Sequence, residues 1–228
     1  MALTRPAPRS ETVPVRGLIF DMDGTIVDNM RVHEDAWEVW HARKSLPFDR
    51  EGFFERTAGR TNAEIIGGLF PRADTATIAA LGEEKERTYR EIYAPRLAPL
   101  PGLLALMDEA DRRRLPMAVA TAAPLGNIEL VLDGLKLRER FRAVVSPALG
   151  LRGKPHPDMF LAAAEAMGVD PAACLVFEDA PLGVEAARRA GMRAAVLATM
   201  LDEAAFAGFD NVVAVGPDFA RLDLSVLG

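Results

Sequence analysis

The stretch FDMDGTIVDN, residues 20–29, decides the fold of this chain of 228 residues. An apolar run that begins at Val15 ends with Asp21 and Asp23, and Gly24 follows at once. The run predicts a buried strand and the glycine predicts a turn at its end. Acids at the end of a parallel strand lie at the carboxyl edge of the sheet, where open α/β folds bind their ligands. Because two buried carboxylates repel each other, we expect a divalent cation beside them, and oxygen ligands favour Mg²⁺.

Composition and charge narrow the class of protein. Half of the residues are hydrophobic, which is enough for a sizeable core, and the net charge of −6 argues against nucleic acid or an anionic membrane surface as a partner. Cys174 is the single cysteine, so no internal disulfide forms, and its apolar neighbours predict a buried strand. Residues 1–13 predict a loose tail rather than a signal peptide, and no apolar run reaches the roughly 20 residues of a membrane span. We therefore expect a cytoplasmic protein, monomeric or weakly self-associating, with a small-molecule partner.

Hydrophobic periodicity divides the chain into two parts with different patterns of apolar residues. Residues 29–97 have helical patterns and no convincing strand, and Asp28 and Asn29 are expected to cap the first helix. From residue 98 onward, short apolar runs alternate with helical stretches, which is typical of a parallel sheet with crossover helices. The sequence predicts an α/β fold: a Rossmann-like parallel-sheet core, residues 14–28 and 98–228, with an inserted all-helical cap domain at 29–97. The predicted cap helices are 30–44, 49–56, 62–70 and 75–93, and the later strands are 117–120, 143–145, 173–177, 194–197 and 212–215.

Polar groups follow three more of the predicted core strands. Thr121 ends the run at 117–120, Lys154 stands before Pro155 in the loop after the third strand, and Glu178 and Asp179 end the run at 173–177. Because the carboxyl ends of parallel strands meet at one edge of the sheet, we expect these groups to gather around the first aspartate.

These motifs, in this order, resemble those of the haloacid dehalogenase superfamily, in the β-phosphoglucomutase-like branch with a helical cap after the first motif. The family's Asp-x-Asp-x-Thr is matched by residues 21–25, its strand-ending Ser or Thr by Thr121, its lysine by Lys154, and its acidic pair by residues 178–179. The resemblance covers nearly the whole chain from Val15. Each motif alone is weak, and the four together are specific.

The resemblance implies a role for each acid of the motifs. Asp21 is the expected nucleophile and forms an aspartyl-phosphate, and Asp23 is the expected acid that protonates the leaving oxygen and then takes a proton from water. The family's Mg²⁺ is held by the Asp21 carboxylate, the Asp23 backbone carbonyl and the acidic pair, with Asp179 favoured over Glu178 as a ligand. Lys154 is expected to supply a second cation against the charge of the substrate.

Further residues are expected to bind the substrate. The Thr121 hydroxyl and nearby backbone N–H groups, including those of Ala122 and Asn127, are the expected phosphate donors. Thr25 either contacts phosphate or is a turn residue. His33, followed four residues later by a tryptophan, occupies a place that faces the active site in this branch, although an isolated histidine on a helix is more often packed or solvated.

The cap loop at 57–62 helps to distinguish a phosphatase from a phosphomutase. Phosphomutases of this branch carry a lysine and an arginine where this chain has Ala58 and Asn62, although Arg60 could still contact a substrate oxygen or phosphate. The segment Thr-Ala-Ala-Pro at residues 121–124 also lacks the extra serine of the mutases, although Asn127 remains nearby. These departures favour a Mg²⁺-dependent phosphatase acting on a small phosphorylated metabolite such as a sugar phosphate, with a β-phosphoglucomutase-type reaction as the alternative.

Three other readings fit the residues less well. A 2-haloacid dehalogenase lacks the second acid that Asp23 supplies. A phosphonatase needs a Schiff-base lysine in the cap, and neither Lys44 nor Lys85 is expected to have the apolar setting that depresses a lysine pKa. A non-catalytic phosphate-binding or regulatory module could share the fold, but the intact set of acids and the lysine argues for turnover.

Overall fold

The computed structural model describes residues 13–57 and 61–227. Its centre is a parallel six-stranded sheet with the strand order β3-β2-β1-β4-β5-β6, which confirms the predicted α/β fold. The strands are β1 (Gly17–Phe20), β2 (Met117–Ala120), β3 (Ala143–Val145), β4 (Cys174–Glu178), β5 (Arg193–Leu197) and β6 (Val212–Gly216).

Strand β1 lies in the middle of the sheet because both of its faces are apolar. All four of its residues are buried. Leu18 and Phe20 pack into the core on one face, whereas Ile19 packs into the core on the other face. A strand that is covered on both faces reads as a continuous apolar run, as this one does. The position of β1 between β2 and β4 places the acids that follow it at the centre of the carboxyl edge.

Helices cover the sheet, and a second group of helices lies between β1 and β2 in the chain. The helices α1 to α4 pack around an aromatic cluster that contains Trp37, Trp40 and Phe53, and α1 packs along α4. We call α1 to α4 the cap helices. The helices are α1 (Met30–Arg43), α2 (Arg50–Thr57), α3 (Asn62–Leu69), α4 (Thr75–Tyr93), α5 (Leu103–Arg113), α6 (Leu125–Ile128), α7 (Asp158–Met167) and α8 (Pro181–Arg189).

The start of α1 differs from the expectation. Asp28 is exposed, and the N-cap residue is Asn29, whose side chain makes no capping hydrogen bond. A capping aspartate or asparagine would accept from a backbone N–H of the first helical turn. The Asn29 side chain instead turns toward the core, where it contacts Asp23 and Tyr89.

Several expectations fall on residues 1–12 and 58–60, which lie outside the described residues. They include most of the predicted N-terminal tail and the substrate contact expected of Arg60. Within the described ranges, no helix has both the length and the apolar character that a membrane span requires.

Candidate active site

The carboxyl edge of the sheet brings together side chains from three strand ends. Asp21 directly follows β1, and its backbone N–H donates to the carbonyl of Phe177 on the neighbouring strand at 3.0 Å. Glu178 is the last residue of β4 and Asp179 follows it. Lys154 reaches the same place from the loop after β3. All four side chains are buried or nearly so.

Lys154 bridges Asp21 and Glu178. Its Nζ donates to Asp21 Oδ1 at 2.5 Å and to Glu178 Oε1 at 2.6 Å. Burial alone lowers the pKa of Lys154, but the charges of the two carboxylates outweigh burial and raise it above its usual range. The ammonium group therefore stays charged and neutralises part of the acidic cluster.

The cluster keeps an excess of negative charge in spite of the lysine. Burial, together with the charges of Glu178 and Asp23, raises the pKa of Asp21 to about 7, although Lys154 opposes the shift. Burial and the charge of Glu178 likewise raise the pKa of Asp179 well above its ordinary value. Crowded carboxylates of this kind are stabilised when a cation binds among them.

The acidic cluster fits a metal ion. Asp21, Glu178 and Asp179 each offer a carboxylate oxygen, and these oxygens lie within 4.8 Å of one another. Glu178 is the most engaged of the three because its Oε1 accepts from Lys154, and its Oε2 accepts from the backbone N–H groups of Asp179 and Ala180 at 2.9 and 2.8 Å. Hard oxygen donors of this type suit a hard divalent cation.

Two glycines make room for these carboxylates. A Cβ on Gly24, whose φ is +77°, would lie 2.1 Å from Asp179 Oδ2. A Cβ on Gly183, in the first turn of α8, would lie 1.8 Å from Glu178 Oε1. Only a residue without a side chain allows the backbone to approach each carboxylate so closely.

Asn29 holds the second acid of the first motif. Its Nδ2 donates to Asp23 Oδ1 at 2.5 Å and to the hydroxyl oxygen of Tyr89 at 2.6 Å, while its Oδ1 accepts from the N–H of Gly24 at 3.1 Å. The residue expected to cap α1 thus orients Asp23 and ties the turn after β1 to α4. Sequence reasoning did not find this role, because an asparagine at this place is equally typical of a helix cap.

His33 lies next to Asp23, on the side of the cap helices. Its Nε2 is 4.0 Å from Asp23 Oδ1, its ring stacks on Tyr89 at 3.9 Å between centroids, and its Nδ1 is 2.9 Å from Lys85 Nζ. Lys85 is buried, but its Nζ is paired with the carboxylate of Glu86 at 2.9 Å rather than left in an apolar setting. Its side chain is 2% exposed and packs over the ring of Trp37, with a counter-charge from the next residue in the chain.

The remaining candidate phosphate-binding residues have different environments. Thr121 is buried, and its Oγ1 accepts from the N–H of Ala123 at 3.1 Å. Ala122 is exposed at the edge of the sheet. The hydroxyl of Thr25 is buried and has no hydrogen-bond partner among the described residues. Asn127 is buried and is bonded to α4.

Three residues of α4 near the site were missed: Lys85, Glu86 and Tyr89. The segment around them is rich in charge, which is typical of a solvated helix face. The signal that could have found them is the helical spacing of Lys85 and Tyr89, four residues apart on one face. Nothing in the sequence indicated that this face lies against His33 and Asn29.

Comparisons with known proteins relate the chain to one family of hydrolases. The model of the haloacid dehalogenase-like hydrolase family matches residues 15–191. Fructose-1-phosphate phosphatase from Escherichia coli is 40% identical over 180 residues, which cover 78% of this chain and 94% of that protein. β-Phosphoglucomutase from Bacillus subtilis is 33% identical over 187 residues, 78% of this chain and 81% of that protein. The solved structure of a CbbY mutant from Rhodobacter sphaeroides in complex with xylulose-(1,5)bisphosphate has a TM-score of 0.78 and 27% identity, covering 93% of this chain and 99% of that one.

Proposed function

The chain belongs to the haloacid dehalogenase-like hydrolases, and we propose that it is a Mg²⁺-dependent phosphatase that releases phosphate from a small phosphorylated sugar. The observation that carries the proposal is the buried contact of Asp21 with Lys154 beside the carboxylate cluster. The 40% identical relative is a phosphatase of a sugar phosphate, which supports the same substrate class here.

In the proposed reaction, a carboxylate oxygen of Asp21 attacks phosphorus, and the bond from phosphorus to the sugar oxygen breaks. Water then attacks the resulting aspartyl-phosphate, so that phosphate leaves and the Asp21 carboxylate is restored. Lys154 lies where it can offset the repulsion between the anionic nucleophile and the anionic substrate. The groups that would hold Mg²⁺ are Asp21, Asp179, the Asp23 backbone carbonyl and Glu178. The ion would supply further charge neutralisation.

Asp23 is the proposed acid and base of the two steps. Its carboxylate is half-buried and is held by the Asn29 amide, so its position relative to Asp21 is defined. It would donate a proton to the departing sugar oxygen and then accept one from the attacking water. His33, 4.0 Å away, is in place to contact the leaving group.

Phosphate binding is assigned to the groups that face the same edge of the sheet. The Thr121 hydroxyl, the backbone of Ala122 and the hydroxyl of Thr25 are proposed to contact phosphate oxygens. Asn127 is proposed to act at the border between this site and the cap helices, since its side chain already bridges to α4. Arg60 remains a proposed substrate contact from the sequence.

A phosphomutase is the second candidate, because one relative at 33% identity is β-phosphoglucomutase. Its aspartyl-phosphate would pass to a second sugar hydroxyl rather than to water. The described cap residues favour the phosphatase, since Asn62 donates its amide to a carboxylate and carries no charge for a second phosphate.

The test is phosphate release from fructose 1-phosphate, β-glucose 1-phosphate and other small phosphate esters, with Mg²⁺ and with chelator. Asp21→Asn serves as the blank. We expect release that requires Mg²⁺ and is lost in the variant. Conversion of β-glucose 1-phosphate to glucose 6-phosphate without free phosphate, after priming with a bisphosphate, would establish the mutase instead. No turnover of any substrate would favour a binding module.

A further inference from the structure

Glu86 is a buried carboxylate that the proposed chemistry does not use. It lies in the middle of α4 and is 6% exposed. Its Oε1 accepts from Asn62 Nδ2 at 2.5 Å and from Lys85 Nζ at 2.9 Å, and its Oε2 accepts from Asn127 Nδ2 at 2.7 Å. A single carboxylate thus joins helix α3, helix α4 and helix α6 of the core. A buried charge with this many donors is held in one position.

This carboxylate is close to the place where the leaving group departs. Lys85, its ion-pair partner, is 2.9 Å from His33, and His33 is 4.0 Å from Asp23. A sugar whose oxygen takes a proton from Asp23 therefore extends toward the layer formed by His33, Lys85 and Glu86. The groups of this layer decide which substituents the leaving group can carry.

Carboxylates of α4 pair with two cations in and beside this layer. Glu86 neutralises Lys85 directly, and Arg90, which donates to Asn127 Oδ1 at 3.0 Å, is paired with Glu83. Although burial raises the pKa of Glu86, the charges of Lys85 and His33 outweigh it and lower the pKa to about 2. Glu86 is therefore an anion at every working pH. Among the described residues, Lys85 in this layer and Arg90 beside it are each paired with a carboxylate of the same helix.

A second phosphate on the substrate would meet this layer at a high cost. It would bring two negative charges toward Glu86, and an amide stands at position 62 in place of a cation. Neutral hydroxyl groups, by contrast, can exchange hydrogen bonds with the carboxylate and with the amides of Asn62 and Asn127. Discrimination of this kind works through repulsion of the wrong ligand as well as through contacts to the right one.

We propose that Glu86 is a specificity-determining residue that restricts this enzyme to substrates with one phosphate and an uncharged, hydroxyl-rich leaving group. The inference rests on the proposed phosphatase function and adds the chemical class of the leaving group. Glu86 lies in α4, outside the sequence motifs at the ends of the core strands.

The test compares fructose 1-phosphate with fructose 1,6-bisphosphate, which differ by the second phosphate alone. Release from position 1 is followed as fructose from the first substrate and as fructose 6-phosphate from the second. For the unmodified enzyme we expect kcat/KM to favour the monophosphate by at least about tenfold, because each 1.4 kcal/mol of repulsion corresponds to a factor of ten. Glu86→Gln keeps the shape of the side chain, removes its charge and leaves Lys85 unpaired. This variant should raise kcat/KM for the bisphosphate and reduce the preference about tenfold or more.

Glu91→Gln is the matched control, because it removes the same charge from the same helix at an exposed position that pairs with Arg43. It should keep the preference of the unmodified enzyme. Equal kcat/KM of the unmodified enzyme for both substrates would overturn the inference even if Glu86→Gln failed to fold. A folded Glu86→Gln, verified by its melting curve, that loses both activities in equal proportion would also overturn it. If the unmodified enzyme released phosphate from neither of these nor from any other ester, the proposed function would fail with it; activity with no preference would refute the inference alone.

Discussion

Substitution of Gly183 by alanine sets two physical effects against each other. In the interior of a helix, alanine is more favourable than glycine by up to about 1 kcal/mol, so helix propensity alone predicts a stabilised protein. The structure predicts the opposite. The new Cβ would lie 1.8 Å from Glu178 Oε1, 1.9 Å from Cδ and 2.4 Å from Oε2, so the whole carboxylate must move.

Displacement of that carboxylate affects the groups that depend on it. The backbone N–H groups of Asp179 and Ala180 lose their acceptor, and Lys154 loses one of its two partners. A buried donor left without a partner costs about 1–3 kcal/mol. After the gain in helix propensity we expect a net loss of about 1–5 kcal/mol in the free energy of unfolding, which lowers Tm by roughly 2–20 °C for a chain of this size. Because Lys154 and Asp179 are also part of the proposed catalytic site, kcat should fall by about 100-fold or more.

Gly67→Ala is the control, since it makes the same change in helix α3, where the added Cβ meets only Ile78 at an ordinary 3.7 Å. It should raise Tm slightly and leave kcat unchanged. The assay measures Tm by thermal unfolding and kcat by phosphate release for both variants. If Gly183→Ala were as active as the unmodified enzyme and gained stability like Gly67→Ala, the carboxylate of Glu178 would not be held where the structure places it, and the assignment of the lysine–acid cluster would fail.

Three further predictions follow from the same contacts. Addition of Mg²⁺ should raise Tm, because a ligand that binds only the folded state stabilises it by mass action; Asp179→Ala should abolish the rise in a thermal-shift measurement. The pKa of Glu86 is lowered from 4.5 to about 2, so its contribution of about 3 kcal/mol to stability is present above pH 4.5 and is lost as the pH falls toward 2. The difference in free energy of unfolding between the unmodified protein and Glu86→Gln, measured in urea, should therefore fall by more than half between pH 7 and pH 3, and an unchanged difference would refute it. Tyr89→Phe removes one acceptor of Asn29 but leaves its bond to Asp23, so unfolding in urea should show a loss of about 1–3 kcal/mol, with a fall in kcat smaller than tenfold.

The strands and their order of appearance could be predicted because each contains a short apolar run, and four of the six runs are followed by the polar groups of the motifs. The run at 117–120 and the run at 143–145 match β2 and β3 residue for residue, and the helix predicted at 75–93 matches α4. A buried parallel strand leaves a strong local signal, since both of its faces must be apolar. The cluster at the carboxyl edge follows from the same signal, because parallel strands place their ends together.

The contacts of the cap helices could not be predicted in the same way. Glu86 meets Asn127 across 41 residues of chain, and Lys85 meets His33 across 52. The first pair depends on how α4 packs against the core and the second on how α1 packs against α4, and neither arrangement leaves a local signal in the sequence. The charged segment around Lys85 predicts a solvated face, but the helix buries Lys85 and Glu86 because each neutralises the other.

Helix α4 connects the two parts of the proposed reaction. Through Tyr89 and Asn29 it contacts the acid that would protonate the leaving oxygen, and through Glu86 and Asn127 it contacts the core beside the phosphate-binding loop. A leaving group between these contacts is therefore met by the same element that positions its proton donor. Because the side chains involved share one helix, a substituent that displaces α4 also displaces the partner of Asn29, and the fit of the leaving group determines how well Asp23 is placed to act.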